Sequence, residues 1–327
     1  MIHINVLSLF DGISCGRIAL ERAGIKIDTY YASEIDKYAI QITQKNYPDT
    51  IQLGDITLLN ENELKKLPKL DLLIGGSPCQ GFSFAGKQLN FNDPRSKLFF
   101  EYIKIKEWLQ KYNNSELIFL LENVKMKKEY QNVINTYLKA EPIEINSALV
   151  SAQNRKRLYW TNVQGISQPK DKELLLKDII LKDVEPIMFS NIYGGFKEKI
   201  PRIHENKSIT IRTASGGGHI PSLLLSEKAK KYMDRLRNGK AACLTANMFK
   251  GVPYGVIKEL MRRLHPIECE RLQTLPDNYT EGISSTQRYK AIGNGWTVDV
   301  IAHILSYITS QDKNTILSDD NNNKNNK

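Results

Sequence analysis

The sequence has few cysteines and no long apolar run. Four cysteines occur in 327 residues (Cys15, Cys79, Cys243 and Cys269), and none has the CxxC spacing of a zinc site. Structural disulfides are not expected from so few, and the start of the chain lacks the apolar segment of a secretory signal. No apolar run approaches the roughly 18 residues that span a bilayer. We therefore expect no metal, no membrane partner and a reducing cytoplasm.

Acidic residues are in deficit. The chain has 46 Lys and Arg against 36 Asp and Glu, which gives a net charge of +10. This balance favours a polyanionic partner such as nucleic acid. The GxGxxG fingerprint is also missing, so a pyrophosphate-containing dinucleotide is not specifically indicated.

Apolar runs and amphipathic stretches alternate along the first 165 residues. The alternation predicts an α/β fold, namely a mostly parallel sheet with helices on both faces that binds ligands at the carboxyl ends of its strands. The predicted strands lie at 4–10, 28–34, 70–76, 117–124, 143–152 and 157–163, and the predicted helices at 16–24, 37–47, 96–112, 265–275 and 295–308.

The alternation weakens after about residue 165, which predicts a second domain. We expect a catalytic domain over 1–182 and 288–327, a smaller irregular β-rich domain over 183–262, and a hinge over 263–287. The tail from about residue 312 is low in complexity and has nothing to bury, so it is expected to be disordered.

The first predicted strand runs into a glycine-bearing turn, "FDGISCG", and Glu34 closes the second strand. Backbone can approach a nucleoside at Gly12, while an acid at the tip of the second strand can accept hydrogen bonds from ribose hydroxyls. Asp55 could bind an adenine amino group or simply cap a turn. Taken alone, these residues do not separate a nucleoside site from an ordinary strand-to-helix turn.

Cys79 is placed for chemistry rather than for packing. It lies in "GGSPCQGFSFAG", where a buried strand gives way to a glycine-rich turn. Glu122 lies near the end of another apolar strand, where a carboxyl group is costly to desolvate unless it is protonated or paired. A thiol and a carboxyl group at neighbouring strand ends favour nucleophilic catalysis with acid assistance.

Gln153, Arg155 and Arg157 alternate along the chain, so on one strand they would share a face. Two guanidinium groups there would suit carbonyl oxygens or phosphates. Together with a thiolate and an acid, they favour attack on an electron-poor ring such as carbon 6 of cytosine. Carbon 5 of that ring then becomes nucleophilic enough to take a methyl group from a sulfonium donor.

Six motifs resemble, in order, those of the cytosine-C5 DNA methyltransferases. They are "LSLFDGISCG", "GGSPCQGFSFAG", "ENV", "QNRKR", "RLHPIECERLQTLPDNY" and "RYKAIGNGWTVDV". The resemblance covers nearly the whole chain, and the first motif looks like the variant of animal de novo methyltransferases. It implies a Rossmann-like, S-adenosylmethionine-dependent methyltransferase sheet with a smaller target-recognition domain.

The resemblance also implies roles for individual residues. Cys79 would be the nucleophile, Glu122 the acid and Asn123 the residue that holds the Pro-Cys loop, while Arg157, helped by Arg155, would contact the base. The residues implied around S-adenosylmethionine are Phe10, Gly12, Ile13, Glu34, Ile35, Asp55, Ile56, Pro78, Leu98, Asn294, Gly295 and Trp296. The DNA contacts expected are Gln80, Ser83 and Arg95, in a segment resembling a mobile loop, and Arg212 and His219 in the smaller domain.

The chain departs from the family's pattern in two motifs. Ser14 and Cys15 stand where bacterial relatives often carry Gly-Gly, which puts the geometry of the cofactor turn in question. Cys243 stands where many relatives have the threonine of a Thr-Leu pair, which puts base readout in question. Cys15, Cys243 and Cys269 are expected to be inert packing residues.

The resemblance implies a DNA (cytosine-5-)-methyltransferase that flips a cytosine out of duplex DNA and forms a covalent Cys79 adduct. We expect a monomer in a bacterial cell or a phage-infected host, near the nucleoid. A tRNA cytosine-C5 methyltransferase and a non-catalytic DNA-binding regulator on the same scaffold remain open; the discrete second domain favours DNA, and Cys79 with Glu122 favours an enzyme. The Asp/Asn-Pro-Pro-aromatic tetrad of amino-group methyltransferases does not occur at the strand end that carries "SPCQ".

Overall fold

The computed structural model describes six ranges of the chain, 3–77, 94–181, 185–190, 202–211, 222–224 and 261–309. Several predicted site residues lie outside these ranges, namely Pro78, Cys79, Gln80, Ser83, Arg212 and His219, as do Cys243 and the predicted tail. Arg95 lies in the first turn of a helix, and its side chain is likewise outside what is described.

The chain divides into two units. The first comprises Met1–Ser147, Lys156–Lys170 and Gly295–Lys327, and the second comprises Ala148–Arg155 and Asp171–Asn294. The second unit includes the segment predicted as a hinge and begins closer to the N-terminus than the predicted smaller domain. Assignment of target recognition to 183–262 stays a prediction.

The first unit is built on a seven-stranded sheet in the order β3-β2-β1-β4-β5-β7-β6. Its strands are β1 His3–Leu9, β2 Lys26–Ser33, β3 Ile51–Gln52, β4 Leu72–Gly75, β5 Ile118–Val124, β6 Ile143–Asn146 and β7 Lys156–Thr161. Strands β1 to β5 pair in parallel, whereas β7 runs antiparallel to both β5 and β6. The parallel strands therefore end at one edge, where the predicted site residues of β1, β2, β4 and β5 follow.

Helices cover both faces of this sheet, as predicted. On β4, Leu73 belongs to an apolar cluster with Phe99 and Tyr102 of the long helix, whereas Ile74 faces the other way, toward Gly16 in the first helix. The helices of this unit are α1 Cys15–Arg22, α2 Lys37–Asn46, α3 Glu61–Leu64, α4 Pro94–Tyr112, α5 Lys128–Leu138 and a last helix over 298–309, with 3-10 turns at Ile56–Leu58 and Ser147–Leu149.

Two details of the predicted elements are wrong. The strand predicted over 143–152 ends at Asn146, because the chain turns through the 3-10 segment Ser147–Leu149 and then leaves the sheet. The Ser147 hydroxyl donates a hydrogen bond to Thr297 Oγ1 at 2.8 Å at this point. The helix at Ser285–Asn294 was not predicted, since polar and charged residues interrupt its apolar stripe.

The second unit holds a four-stranded antiparallel sheet in the order β11-β10-β8-β9. Its core joins Met188 and Leu223 of the sheet to Leu272 and Ile292 of the helices. Its elements are α6 Leu176–Ile179, β8 Glu185–Ser190, β9 Arg202–His204, β10 Ser222–Leu224, β11 Met261–Arg263, α7 Pro266–Leu272 and α8 Ser285–Asn294.

Candidate active site

The turn after β1 has an unusual backbone. Phe10, Gly12 and Ser14 have φ angles of 58°, 61° and 57°, in the left-handed region that favours glycine. Ser14 is held there because its hydroxyl donates to Asp11 Oδ2 at 2.5 Å and lies 3.0 Å from Thr43 Oγ1. The departure from Gly-Gly at this turn is thus accommodated by hydrogen bonds of the serine itself. At Gly12 an added Cβ would meet nothing within 4 Å, so the backbone faces open space.

Asp11 is a feature that the sequence analysis missed. Its carboxylate accepts hydrogen bonds from the Ser14 hydroxyl and, at 2.8 Å, from the Tyr30 hydroxyl. Burial of the carboxyl group raises the pKa of Asp11 above its ordinary value, and these hydrogen bonds partly oppose the rise. An acid between a buried strand and a glycine is the signal that could have identified it.

Glu34 ties the tip of β2 to the turn after β1. Its Oε2 accepts a hydrogen bond from Gly12 N at 2.8 Å, and its Oε1 accepts from Ile35 N and Asp36 N, also at 2.8 Å. The two lone pairs of Oε1 are used by these donors, whereas Oε2 has one left for a further donor, such as a ribose hydroxyl. The Ile35 side chain next to it is 73% exposed and offers an apolar surface beside this acid.

Asp55 caps the 3-10 segment Ile56–Leu58. Its Oδ1 accepts hydrogen bonds from Thr57 N at 2.8 Å and Thr57 Oγ1 at 2.9 Å, so the capping interpretation is confirmed. A ligand role for the same carboxylate stays a prediction. Ile56 is buried in the apolar cluster that includes Leu73, Phe99 and Tyr102, and Leu98 packs against this cluster.

The Glu122 carboxyl group is paired with a cation and accepts a further hydrogen bond, and these contacts offset the cost of burying it. Arg157 Nε lies 3.0 Å from Oε1, and the Trp296 indole nitrogen donates to Oε2 at 3.2 Å. The register of β5 and β7 sets Glu122 opposite Tyr159, so Arg157, two positions along, falls on the same face as the acid. The Glu122 and Arg157 side chains are 12% and 14% exposed. The arrangement places a shielded acid and a cation at the carboxyl end of β5.

Asn123 joins the ends of β4 and β5. Its Nδ2 donates to Ser77 Oγ at 3.2 Å and to Ser77 O at 3.4 Å, and Asn123 is buried. Ser77 is the residue before Pro78, where the described part of this segment ends. The contact lies where an anchor of the Pro-Cys loop would be needed, and the role itself stays a prediction.

The expectation that Gln153, Arg155 and Arg157 share one strand face is wrong. Strand β7 begins at Lys156, so Gln153 and Arg155 precede it and belong to the second unit. Arg155 is buried and donates from its guanidinium to the carbonyl oxygens of Ile211 at 3.1 Å and Gly293 at 3.4 Å. Gln153 accepts a hydrogen bond from Ile211 N and donates to Leu272 O. The positions of Gln153 and Arg155 are thus fixed by hydrogen bonds to backbone groups of the second unit, and not by the every-second-residue spacing that predicted a shared strand face.

The remaining described residues fall as follows. Asn294 is exposed at the end of α8, Gly295 is buried and Trp296 is half-buried. Ile13 is buried in the turn after β1. Cys15 and Cys269 are buried thiols, as expected for packing, and burial raises the pKa of Cys269 well above its ordinary value.

Neither a metal site nor a membrane-spanning helix occurs among the described residues. No group of three or more His, Cys, Asp and Glu side chains within 3–77, 94–181 and the later described ranges could hold a metal ion. No helix in the described part of the chain has the length and apolar character needed to cross a membrane.

Solved structures define the class of the fold. A triple mutant of DNMT2 from Spodoptera frugiperda matches with a TM-score of 0.66 at 23% identity, over 94% of this chain and 99% of that one. The methyltransferase EhMeth of Entamoeba histolytica matches with a TM-score of 0.68 at 18% identity, over 95% of this chain and 99% of that one. The fold is that of the S-adenosylmethionine-dependent methyltransferases.

A model of the C-5 cytosine-specific DNA methylases matches residues 4–310, and the chain belongs to this family. The type II methyltransferase M.HhaI of Haemophilus parahaemolyticus is 28% identical over 94% of each chain. M1.ScrFI of Lactococcus lactis subsp. cremoris is 31% identical over 91% of this chain and 76% of its own. The orphan methyltransferase M.Rho11sI of Bacillus phage rho11s is 37% identical over 50% of this chain and 34% of its own. The protein is a DNA cytosine-C5 methyltransferase with S-adenosylmethionine as its methyl donor.

Proposed function

We propose that the enzyme flips a cytosine out of duplex DNA and attacks its carbon 6 with the thiolate of Cys79. Carbon 6 cannot be reached while the base is stacked, and extrusion costs roughly a few kcal/mol. Attack forms a bond from sulfur to carbon 6 and shifts an electron pair toward carbon 5. The observation that carries this proposal is the position of the Glu122 carboxyl group. Glu122 lies on β5, contacts Arg157, and is thus on the strand that pairs with β4, after which the chain continues to Cys79.

Glu122 is proposed to take up a proton from solvent and, in its protonated form, to pass it to ring nitrogen 3 of the flipped base. The thiolate's attack puts electron density into the ring, and a proton on this nitrogen stabilises it. Arg157, which contacts Glu122 at 3.0 Å, is proposed to donate to the base oxygen with help from Arg155. After methyl transfer a base, for which water suffices, takes the carbon 5 proton; the electron pair re-forms the double bond between carbons 5 and 6, the carbon–sulfur bond breaks and the thiolate is freed.

The cofactor is proposed to lie at the edge formed by the turn after β1 and the end of β2. The open space at Gly12, the carboxylate of Glu34 and the exposed side chain of Ile35 fit a nucleoside whose base packs its ring face on the isoleucine. S-adenosylmethionine supplies an electrophilic methyl group there. The other residues proposed to line its site are Phe10, Ile13, Asp55, Ile56, Pro78, Leu98, Asn294, Gly295 and Trp296.

The substrate is proposed to be double-stranded DNA, bound by a monomer. The net charge of +10 supports a polyanionic substrate, since phosphate contacts dominate the affinity of such proteins. Segment 183–262 is proposed to read the target sequence in the major groove, with Gln80, Ser83, Arg95, Arg212 and His219 as DNA contacts. Relatives from bacteria and a Bacillus phage support action in the cytoplasm of a bacterial or phage-infected cell, near the nucleoid.

The substrate proposal is tested by offering the purified full chain tritium-labelled S-adenosylmethionine with unmethylated duplex DNA, and in parallel with tRNA. We expect label in DNA, and bisulfite sequencing should find 5-methylcytosine in one sequence context. Label in tRNA alone would identify an RNA enzyme instead. Retarded migration of DNA without label in either substrate would identify a binding protein without catalysis.

Gly76 allows a test of the site's geometry. A Cβ at this position would lie 2.9 Å from the Trp296 indole nitrogen and 3.2 Å from Glu122 Oε2, so one of the two must move. We expect Gly76→Ala to lower the methyl-transfer rate about tenfold or more while the melting temperature stays near that of the wild type.

Gly75→Ala is the matched control. Its Cβ would lie 2.9 Å from Tyr102 Cε2 and 3.0 Å from Leu9 O, and Tyr102 is fully buried. This variant should lose stability by overpacking. Steady-state rates and thermal unfolding of both variants check the contrast, and wild-type turnover in Gly76→Ala would contradict the proposed geometry.

A further inference from the structure

The Trp296 indole joins the proposed cofactor edge to the proposed acid. Its ring nitrogen donates to Glu122 Oε2 at 3.2 Å, across 174 positions of sequence. Family resemblance assigns this tryptophan to the cofactor site, and that role does not need the ring N–H. The hydrogen bond therefore calls for a second role.

Two glycines leave room for the indole. A Cβ at Gly16, in the first helix, would lie 3.4 Å from Trp296 Cζ3, and a Cβ at Gly76, after β4, would lie 2.9 Å from its ring nitrogen. A larger residue at Gly76 would push directly on the nitrogen, and one at Gly16 would touch the six-membered ring. The ring is thus bounded on two sides by backbone without side chains, which defines where the N–H points.

The two oxygens of Glu122 are held by different donors. Arg157 Nε lies 3.0 Å from Oε1, and in the part of the chain that the structure describes the donor to Oε2 is Trp296. A glutamate carboxyl group rotates about its last torsion unless both oxygens are fixed. One contact would leave this rotation open, whereas two contacts on separate oxygens fix the plane of the group.

We propose that Trp296 is a positioning residue for Glu122. Its N–H fixes the second carboxyl oxygen, so that the acid faces ring nitrogen 3 of the flipped cytosine when the proton is transferred. The proposal rests on the role of Glu122 proposed above. The aromatic ring borders the cofactor, while the N–H acts on the acid, and the two functions can be separated by substitution.

Two variants separate them. Trp296→Phe keeps an aromatic ring and removes the N–H, so we expect the single-turnover rate at saturating DNA and cofactor to fall about tenfold, while the dissociation constant for S-adenosylmethionine changes less than about threefold. Trp296→His keeps a ring N–H and removes the six-membered ring. At pH 8, where an ordinary histidine is neutral, it should bind the cofactor more weakly but exceed Trp296→Phe in the saturated rate.

Trp108→Phe is the control. Its indole nitrogen is buried and has no hydrogen-bond partner among the described residues, so its loss should leave both the rate and the cofactor affinity at wild-type values. An unchanged saturated rate in Trp296→Phe would overturn the proposal. So would a loss of cofactor affinity alone. If Trp296→Phe fails to fold, a saturated rate in Trp296→His at wild-type level supports the proposal, and a rate as low as that of Gly76→Ala overturns it.

A double-mutant cycle distinguishes failure of this inference from failure of the proposed function. If Trp296 acts through Glu122, Trp296→Phe should cost less than about twofold in the Glu122→Gln background. The same tenfold loss in that background would show that Trp296 acts elsewhere. A wild-type rate in Glu122→Gln alone would instead remove the proposed role of the acid.

Discussion

Cys79→Ala is expected to abolish methyl transfer, with a loss of at least about a thousandfold, because no other group can donate the electron pair that activates carbon 5. Cys79→Ser should be almost as inactive, since a serine hydroxyl is a far weaker nucleophile than a cysteine thiolate. Binding of S-adenosylmethionine should stay within about threefold of the wild type, as a side-chain truncation there removes no charge from the cofactor edge. Tritium transfer into duplex DNA and calorimetric titration of the cofactor measure the two quantities.

The matched control is Cys269→Ala, which removes a buried thiol from the core of the second unit. It should lower the free energy of unfolding, because it leaves a cavity, and keep turnover. Turnover by Cys79→Ala above about one per cent of the wild type would exclude Cys79 as the nucleophile.

Glu122→Gln is expected to lower the methyl-transfer rate by about a hundredfold to ten-thousandfold, the range for loss of a general acid. Glutamine keeps the shape of the side chain, but its single amide oxygen can accept from only one of Arg157 and Trp296, and it has no acidic proton to give to ring nitrogen 3. Single-turnover assays at saturating DNA and cofactor separate this chemical defect from weaker binding.

Glu144→Gln serves as the comparison for Glu122. Glu144 lies on β6 of the same sheet, and its carboxylate pairs with Lys125 at 2.8 Å. Exposed pairs of this kind contribute about 0–1 kcal/mol, and the residue is outside the proposed site, so both rate and stability should remain near the wild type. A rate for Glu122→Gln within about threefold of the Glu144→Gln rate would contradict acid catalysis by Glu122.

The fold was predictable where local pattern dominates. Strands β1, β4 and β5 each contain a short apolar run, and the stripe from Leu98 through Leu109 identifies α4. The pattern does not reveal that β7 inserts antiparallel between β5 and β6, because strand partners are fixed by contacts between distant segments. The strand predicted through residue 152 ends at Asn146 instead, and the hydrogen bond from Ser147 to Thr297 just after it is likewise a contact between distant segments.

Motif spacing predicts Glu122 and Arg157 as residues of one site, and the register of β5 and β7 brings their side chains together. Other contacts of the candidate site could not be predicted. The bond from Trp296 to Glu122 and the burial of the Arg155 guanidinium against two carbonyl oxygens depend on tertiary structure. Alternation in sequence could not indicate either of them.

Duplex DNA that carries 5-fluorocytosine at the target position gives the most direct measurement of the covalent mechanism. A fluorine at carbon 5 cannot leave as a proton does, so the intermediate should remain bonded to the enzyme after methyl transfer. We predict a complex that survives denaturing electrophoresis, requires S-adenosylmethionine, is absent in Cys79→Ala and maps by mass spectrometry to the sulfur of Cys79. Methylation of the unmodified duplex, without any such complex on the fluorinated one, would contradict covalent catalysis.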